Sequence, residues 1–533
     1  MTGVPRVAVV GAGPRAAYAL ERLSTLGSRY SVPIPTVDVI APGTDIGAGE
    51  IYTAGQPDYF RLNVASCAVN AWNVDNTSTG QSFDEWRHQF HPASLPDQFP
   101  PRALMGHYLA AVGSTVRARV PGTRIDAKVT AIKRADSSFT LNQDRDDEQS
   151  TRHYDEVLLA VGHASDWSGS LHHRWRGSLP LAQVYPATGL QRHSQEMGGG
   201  SDPLVVVRGA ALTGLDAALC LTQPGQRSAR VLMVGRSGKP MAPKTDPKVL
   251  DALGDLGWLT EPGALALHND ESNVAHVVTD TAIRILRSAL GGRGSQSGAS
   301  SAVTAAVVDM FGPASDPPKR WLRHRLAISK GEATADGAWA LGQAWKLLYP
   351  DLVSRQRRPA HLDGPPLGWA DYRQWSHELE RLAFGPPPVS VEALLALMDE
   401  QRVDIVGATE PIEQLAVDRG ASLVVDAVLA PPGIRALNDP LVSQLTACGL
   451  LSAATHGRGA RVDLDATCLD ATAQRVSGLA AVGRITEDVV LGNDTLVRTM
   501  HPELDRWARR VLGIRCDVDV IGGDDDSSGG GQT

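Results

Sequence analysis

The sequence predicts an α/β fold with two Rossmann-like domains and a largely helical insertion. Two strand, turn and helix patterns lie about 200 residues apart, RVAVVGAGPRAAYAL from Arg6 and PLVVVRGAALTGLDAALCL from Pro203. Each apolar run suits a buried parallel strand, and each turn carries small residues that a dinucleotide needs. Between the second pattern and the last third of the chain, Ile283, Leu286 and Leu290 show helical spacing. Paired dinucleotide-binding domains are typical of two-cofactor flavoproteins.

The first pattern predicts an FAD site. Gly11, Gly13 and Ala16 occupy the three special positions of the G-x-G-x-x-G/A fingerprint. Gly11 allows the tight turn, Gly13 lets the backbone approach a pyrophosphate, and Ala16 lets the helix pack closely on its strand. The helix begins near Pro14, so its free N–H groups would face the pyrophosphate. Two-dinucleotide flavoproteins place FAD in a unit this close to the N-terminus.

The end of the second strand lacks the acidic residue that usually accepts the adenosine ribose hydroxyls. The strand Thr36–Ile40 runs into Ala41 and Pro42 instead. Asp38 lies inside the strand, and Asp45 lies four residues beyond Ala41 in a Gly-rich loop. Three explanations stay open: FAD is held without this contact, Asp45 replaces the usual carboxylate, or the FAD site has decayed.

The second pattern predicts an NADPH site. Gly209 and Gly214 stand where glycines are wanted, whereas Ala211 adds a methyl group where the pyrophosphate should approach. Thr213, in the same turn, is a further candidate cofactor contact. Arg236 follows the next strand, at the position from which a guanidinium binds a ribose 2′-phosphate. The alternative for Arg236 is a solvated loop side chain.

Six segments, distributed over both ends of the chain, carry a family resemblance. They are GAGPRAAYALERL from Gly11, the loop Gly47–Ser66, FPPRALMGHYL from Phe99, GAALTGLD from Gly209, Glu380–Pro387 and Leu479–Arg498. Together they resemble the FAD-NAD(P)-binding proteins, which are related to the flavin-dependent N-hydroxylating monooxygenases and include nitrosuccinate synthases (aspartate N-monooxygenases). The resemblance implies an FAD- and NADPH-dependent monooxygenase that hydroxylates the amino group of a small amino acid through a flavin hydroperoxide. The most specific reaction that the resemblance implies is the oxidation of L-aspartate to nitrosuccinate.

Three polar residues of the loop Gly47–Ser66 are the candidate catalytic residues: Gln56, Asn63 and Ser66. Their uncharged donors and acceptors suit hydrogen bonds to a flavin edge or a peroxide. An Asn in a loop is also typical of a simple Asn-stabilised turn. The resemblance favours the functional interpretation.

Basic side chains should contact the carboxylates if the substrate is an acidic amino acid. We select Arg61, Arg102 and Lys244 as candidate substrate contacts. Arg102 lies in one of the family-like segments, and Lys244 follows the predicted NADPH-binding region. Each of them would otherwise be a solvated surface charge.

The chain divides into five predicted segments. They are residues 1–170 (first part of the FAD-binding domain), 200–245 (NAD(P)H-binding core), 246–410 (mainly helical insertion), 411–520 (return to the FAD-binding domain) and 521–533 (disordered tail). Gly162 would let the backbone pass near the dinucleotide, and Gly483 would lie close to the flavin. The strand-like run Leu423–Leu429 is assigned to the return. The stretch Gly291–Ser301 predicts a flexible loop.

Composition excludes several classes of partner. A length of 533 residues predicts two or three domains, and a net charge of −8 argues against nucleic acid or an anionic membrane. The sequence contains no apolar run approaching the ~20 residues of a membrane helix and no signal-peptide pattern. We therefore expect a cytoplasmic protein whose partners are an amino acid and oxygen. Whether copies assemble into a homo-oligomer is left open.

The five cysteines are scattered, without the C-x-x-C pair that a disulfide reductase needs beside its flavin. No metal-ligand pattern stands out, so we predict no metal. Two other classes stay open: a flavoprotein NAD(P)H oxidoreductase that inserts no oxygen, and a cofactor-poor binding protein.

Overall fold

The computed structural model describes residues 4–43, 45–72, 80–136, 138–144, 152–162, 167, 169–172, 174–197, 202–223, 229–254, 256–267, 273–291, 296–356, 369–435, 439–455, 457–493 and 495–515. Its strands are β1 Arg6–Val10, β2 Thr36–Ala41, β3 Arg124–Asp126, β4 Lys128–Ala135, β5 Ser138–Asp144, β6 Arg152–Tyr154, β7 Glu156–Leu159, β8 Leu181–Gln183, β9 Leu204–Arg208, β10 Arg230–Gly235, β11 Val403–Gly407, β12 Leu423–Asp426, β13 Thr467–Leu469 and β14 Arg475–Ala481. Its helices are α1 Pro14–Tyr30, α2 Phe83–Phe90, α3 Arg102–Arg119, α4 Ala187–Glu196, α5 Leu212–Leu221, α6 Pro247–Leu253, α7 Gly257–Leu267, α8 Val274–Ala289, α9 Gln296–Phe311, α10 Pro318–Ser329, α11 Gly337–Gln356, α12 Trp369–Ala383, α13 Pro388–Asp399, α14 Ile412–Asp418, α15 Pro440–Ala447 and α16 Glu503–Val511. The predicted tail at 521–533 falls outside the described residues.

The first sheet has the order β13-β14-β7-β1-β2-β3. Its central strands are parallel, and Val10 of β1 pairs with Ile40 on one side and Leu159 on the other. Three carboxyl ends therefore meet at one edge, where the fingerprint turn begins. The apolar run of β1 is buried because α1, α3 and α16 cover one face of the sheet. The antiparallel β4-β5-β6 sheet and α15 contribute to the core on the other face.

The second sheet has the order β11-β10-β9-β12-β8, and all of its pairings are parallel. This order corrects one expectation from the sequence. The run assigned to the return of the first domain forms β12 at Leu423–Asp426, between β9 and β8. A fully buried apolar strand fits any parallel sheet, so the pattern could not show which sheet it joins. The return to the first sheet is made by β13 and β14 instead.

The helical insertion has its own hydrophobic core, centred on α8 and α11, in which Trp345 is fully buried. Residues 296–301, expected to be loop, form the first turns of α9 because Val303 and Met310 anchor this helix in the insertion core. Local composition did not show this tertiary contact. Among the described residues, every helix is too short or too polar to cross a membrane.

The loop Gly47–Ser66 contacts both domains. At one end, the N–H of Gly47 donates to the carbonyl oxygen of Ala12 at 2.8 Å. At the other end, Phe60 is fully buried in the core of the second domain. Its ring meets that of Tyr185 edge to face at 5.8 Å. The same loop therefore touches the first fingerprint turn and the second hydrophobic core.

Candidate active site

The turn after β1 has the geometry of a dinucleotide cradle. Gly11 has a φ of +112°, and a Cβ at this residue would lie 2.2 Å from the carbonyl oxygen of Ala160. Gly13 precedes α1 and has no atom within 4 Å of the position its Cβ would take. Pro14 opens the helix, and Ala16 is fully buried beneath it. The N-terminus of α1, with its positive dipole end, thus lies beside an open space that suits a pyrophosphate.

Two other predicted glycines border this cradle. Gly162, after β7, has a φ of +65° and open space at its Cβ position. Gly483, after β14, has a φ of +82°, and its Cβ position lies 3.6 Å from Cγ of Arg15. Both follow strands that neighbour each other in the first sheet, and so they lie at the same edge as Gly11. The structure therefore brings together the predicted contacts from three distant parts of the chain.

Arg15 is a residue that the fingerprint contained but our interpretation missed. It donates from Nη2 to the carbonyl oxygen of Asn493 at 3.0 Å, and the same nitrogen lies 3.4 Å from Nδ1 of His501. Together with Gly483 and Glu503, these side chains line a small cavity beside α1. Asn493 and His501 come from the far end of the chain, so local spacing gave no signal for them.

The end of β2 beside the first cradle lacks the usual carboxylate, and Arg124 binds the backbone there. Arg124 donates to the carbonyl oxygens of Ala41 at 2.8 Å and Pro42 at 3.2 Å. Asp38 is buried and accepts hydrogen bonds from Arg6 and Thr123, among others. Burial would raise the pKa of Asp38, but these hydrogen bonds hold it below its ordinary value.

Asp38 therefore has a structural role within the first domain, as its position inside the strand suggested. Asp45 is exposed in the following loop, and its charge acts on Arg124. The exposed position leaves Asp45 accessible to a ribose. Its role as the substitute carboxylate remains a prediction.

The second turn repeats the geometry of the first. Gly209 has a φ of +123°, and its N–H donates to the carbonyl oxygen of Val234 at 2.9 Å. A Cβ on Gly214 would lie 2.2 Å from the carbonyl oxygen of Gly209, so the helix packs closely on the turn. Ala211 precedes α5 and is exposed, and Thr213, the second residue of that helix, is half-buried. The extra methyl group of Ala211 thus lies at the helix N-terminus that a second pyrophosphate would use.

Arg236 lies exposed at the carboxyl end of β10. Its Nη2 atom lies 2.8 Å from Nε2 of His377 on α12, a partner that the sequence did not indicate. Burial and the charge of Arg236 lower the pKa of His377, which leaves a neutral imidazole able to accept this hydrogen bond. The guanidinium is therefore held at the strand end, where a 2′-phosphate would lie.

Arg236→Gln is expected to weaken NADPH binding about tenfold to a hundredfold, the usual effect of losing a charge-assisted hydrogen bond. NADH binding should stay unchanged, because NADH has no 2′-phosphate. Titration of both nucleotides by isothermal calorimetry checks this. Arg230→Gln, at the exposed opposite end of the same strand, is the matched control. Equal weakening of NADPH and NADH would contradict the assignment.

The candidate catalytic residues lie along the loop Gly47–Ser66. The Nε2 atom of Gln56 donates to the carbonyl oxygen of Ile51, whereas its Oε1 atom is buried without a hydrogen-bond partner. Asn63 is half-buried. Ser66 is buried, and its hydroxyl accepts from Nη1 of Arg87 at 2.8 Å, which fixes the end of the loop. Catalytic roles for the three residues remain predictions, and Ser66 also has this structural bond.

Arg61 and Arg102 have carboxylate partners within the protein. Arg61 forms an ion pair with Asp97. Arg102 pairs with Asp216 of α5 at 2.6 Å and donates to the hydroxyl of Tyr185 at 3.0 Å. Burial would lower the pKa of Arg102, but Asp216 raises it above its ordinary value, so the guanidinium stays charged. Arg102 thus connects the two domains, and its role as a substrate contact remains a prediction.

Lys244 has a different environment from these arginines. It lies half-buried between β10 and α6, with its Nζ atom 5.4 Å from the centre of the Phe384 ring. A second half-buried lysine, Lys346 on α11, lies close enough to influence its charge. The sequence gave no signal for Lys346, because only the packing of α11 brings it near Lys244. The described residues contain no cluster of His, Cys, Asp or Glu that could hold a metal.

A family model supports the cofactor assignment. Residues 8–164 match the family described as FAD-NAD(P)-binding. The matched segment includes the first cradle, the loop Gly47–Ser66 and Gly162. The first cradle fits a dinucleotide, because the Cβ position of Gly13 is open and the N-terminus of α1 borders it; the second turn has a matching positive φ at Gly209 and the N-terminus of α5. The match over this segment confirms the predicted cofactors.

Solved structures of N-hydroxylating flavin enzymes share this fold. An ornithine N-hydroxylase of Kutzneria sp. 744 aligns at a TM-score of 0.51 and 13% identity, over 96% of this chain and 99% of its own. L-lysine 6-monooxygenase from Pseudomonas syringae aligns at a TM-score of 0.53 and 13% identity, over 96% and 99%. The predicted fold class is confirmed.

A curated relative agrees with the family resemblance. A nitrosuccinic acid synthase of Aspergillus oryzae (strain ATCC 42149 / RIB 40) is 31% identical over 135 residues. The match covers 24% of this chain and spans 20% of the length of that relative. Together with the family match, it confirms the predicted resemblance.

Proposed function

We propose that this protein is an FAD- and NADPH-dependent monooxygenase that hydroxylates the amino group of a small amino acid. The observation that carries the proposal is the pair of glycine turns, each followed by a helix, at the carboxyl ends of parallel strands in two sheets. The end-to-end similarity of fold to N-hydroxylating enzymes supports it. The substrate that we propose is L-aspartate, in line with the partial similarity to a nitrosuccinic acid synthase.

The residues of this chain would prepare the reaction by position and charge. The N-termini of α1 and α5 would hold the two pyrophosphates, and Arg236 would hold the 2′-phosphate of NADPH. Bound FAD would accept a hydride from NADPH and pass electrons to oxygen. The ion pair between Arg102 and Asp216 would keep the two domains in a fixed relation, so that both cofactors can meet.

The loop Gly47–Ser66 is suited to the substrate side of the first cradle. A Cβ on Gly49 would lie 3.0 Å from Cα of Gly13, so the loop packs directly on the turn. The amide groups of Gln56 and Asn63 can orient a substrate amine without adding charge. The first hydroxylation would consume one amino acid, one O₂, one NADPH and one proton, and it would release the N-hydroxy amino acid, water and NADP⁺.

The test is a coupled measurement on the purified holoenzyme. We expect a yellow protein whose flavin is bleached by NADPH under anaerobic conditions. With L-aspartate and ¹⁸O₂, mass spectrometry should detect ¹⁸O on the amino nitrogen. A protein that consumes NADPH and releases H₂O₂, with no oxygenated product from a panel of amino acids, would instead be an oxidoreductase without oxygen insertion. A colourless protein that takes up no added FAD would contradict both functions.

A further inference from the structure

Two lysines, Lys244 and Lys346, lie where the helical insertion meets the segment after β10. The segment is fixed by Thr245, whose hydroxyl accepts from Nε1 of Trp339 at 3.0 Å and Nε2 of Gln343 at 2.9 Å. Lys244 precedes Thr245, and Lys346 follows Gln343 by three residues on the same face of α11. Nζ of Lys244 lies 5.4 Å from the centre of the Phe384 ring, and that ring packs at 5.2 Å on Tyr349, which follows Lys346 by three residues on α11. Both lysines therefore border the same region of the protein.

Neither lysine has an anionic partner in the part of the chain that the structure describes. No side-chain hydrogen bond or ion pair involves Lys244 or Lys346 there, and the nearest named contact of Lys244 is the ring of Phe384. Burial and the charge of Lys346 lower the pKa of Lys244 to about 7, and burial lowers that of Lys346. Two half-buried like charges without a counter-ion disfavour the charged forms of both lysines, and an anionic ligand would compensate them.

The lysine pair lies beside chain segments that border the first cradle. Lys346 interacts electrostatically with Cys67, the residue that follows the loop Gly47–Ser66. Tyr349, three residues further along α11, approaches Gly492, whose Cβ position lies 2.8 Å from Cε1 of that ring. Gly492 is adjacent to Asn493, the partner of Arg15. A ligand between the lysines would therefore lie towards the predicted FAD site.

We propose that Lys244 and Lys346 form a binding site for the two carboxylates of a dicarboxylic amino acid. Two ammonium groups match two carboxylates in charge, and their flexible stems can adjust to the spacing. The amino group of the ligand would stay free for reaction. A diamine such as ornithine or cadaverine would meet repulsion at this site. The role of the ligand as substrate rests on the proposed function, whereas its binding does not.

The test uses succinate, which has both carboxylates and no amine to oxidise. We expect succinate and L-aspartate to bind the holoenzyme in calorimetry and ornithine not to bind. Lys244→Met and Lys346→Met should each weaken succinate binding about tenfold to a hundredfold, as for a lost charge-assisted contact. Lys133→Met, on exposed β4, is the control and should bind succinate as the wild type does. The flavin spectrum and melting curve report whether each variant is folded.

Unchanged succinate binding in both variants, or no succinate binding in the wild type, overturns the proposal. Succinate binding to the wild-type protein can be measured without any variant, so the proposal can be tested even if the variants do not fold. Lys346 acts on the charge of Lys244, and Cys67 acts on that of Lys346, so succinate affinity should fall as the pH rises above about 7 and Lys244 loses its proton. At pH 9, about two units above the pKa of Lys244, this lysine is almost fully neutral. A succinate affinity that stays constant between pH 6 and pH 9 would also overturn the proposal.

These outcomes separate the inference from the proposed function. Lysine-dependent succinate binding without oxidation of any amino acid supports this site and contradicts the monooxygenase. Hydroxylation of ornithine by a protein that binds no succinate supports the monooxygenase and overturns this site.

Discussion

Gly13→Val should give a folded protein that no longer retains FAD. The Cβ position of Gly13 has no neighbour within 4 Å, so the side chain costs the apoprotein little. It would instead fill the space for the pyrophosphate at the start of α1. Overpacking of this kind costs about 1 to 3 kcal/mol, and we expect FAD affinity to fall about a hundredfold. The measurement is the ratio of flavin to protein absorbance, with FAD titration of the apoprotein.

Substitutions at two other glycines serve as comparisons with Gly13→Val. Gly189→Val, on α4 of the second domain, also adds a side chain in open space and should leave FAD content unchanged. Gly11→Val should fail earlier, because its Cβ would lie 2.2 Å from a backbone oxygen at a φ of +112°. That variant is expected to unfold at lower urea concentration. A yellow Gly13→Val protein with normal FAD affinity would show that the cofactor lies elsewhere.

Arg102→Met should lower the free energy of unfolding by about 3 to 5 kcal/mol, the usual cost of leaving one partner of a buried ion pair. The Arg102 side chain is 16% exposed and that of Asp216 is 6% exposed, so water cannot replace the lost charge easily. The double variant Arg102→Met with Asp216→Leu should recover much of this loss, because both charges are then gone. Urea unfolding of the two variants measures the coupling.

The pH dependence of the same variant gives a second readout. Burial raises the pKa of Asp216, and Arg102 opposes this shift in the native protein. Without Arg102, the pKa of Asp216 in the folded protein rises further above its value in the unfolded chain. At low pH Asp216 is then protonated, and the fold carries no unpaired buried charge. The defect of Arg102→Met should therefore grow as the pH rises from 5 towards 8, by up to about 1.4 kcal/mol per unit. A defect independent of pH, or lost L-aspartate binding with unchanged stability, would favour a substrate contact.

The sequence predicted what depends on neighbouring residues. Gly11, Gly13 and Gly209 could be identified because a tight turn between a strand and a helix demands small residues at fixed spacing. Gly162 and Gly483 followed from the position of each after a buried strand. All five lie in turns that follow strands of the two parallel sheets, and their contacts with a cofactor remain predictions.

Features that depend on distant packing could not be predicted in this way. The sheet that β12 joins, the partner of Arg102 and the approach of Lys346 to Lys244 are all decided between segments far apart in the chain. A basic side chain looks the same in the sequence whether it meets Asp216 or another lysine. Composition also misjudged the start of α9, where apolar anchors later in the helix outweigh a Gly- and Ser-rich beginning.

The way the first domain is completed has a consequence for biosynthesis. β14 lies inside the first sheet, where Leu479 pairs with Val157, although more than 300 residues separate them along the chain. Phe60, from the loop Gly47–Ser66, needs the core of the second domain to leave water. When only the amino-terminal third of the chain has been synthesised, the first sheet lacks β14 and Phe60 is still exposed to water. We therefore expect the amino-terminal domain to be unstable when it is expressed alone, and FAD to bind only after β14 has been synthesised.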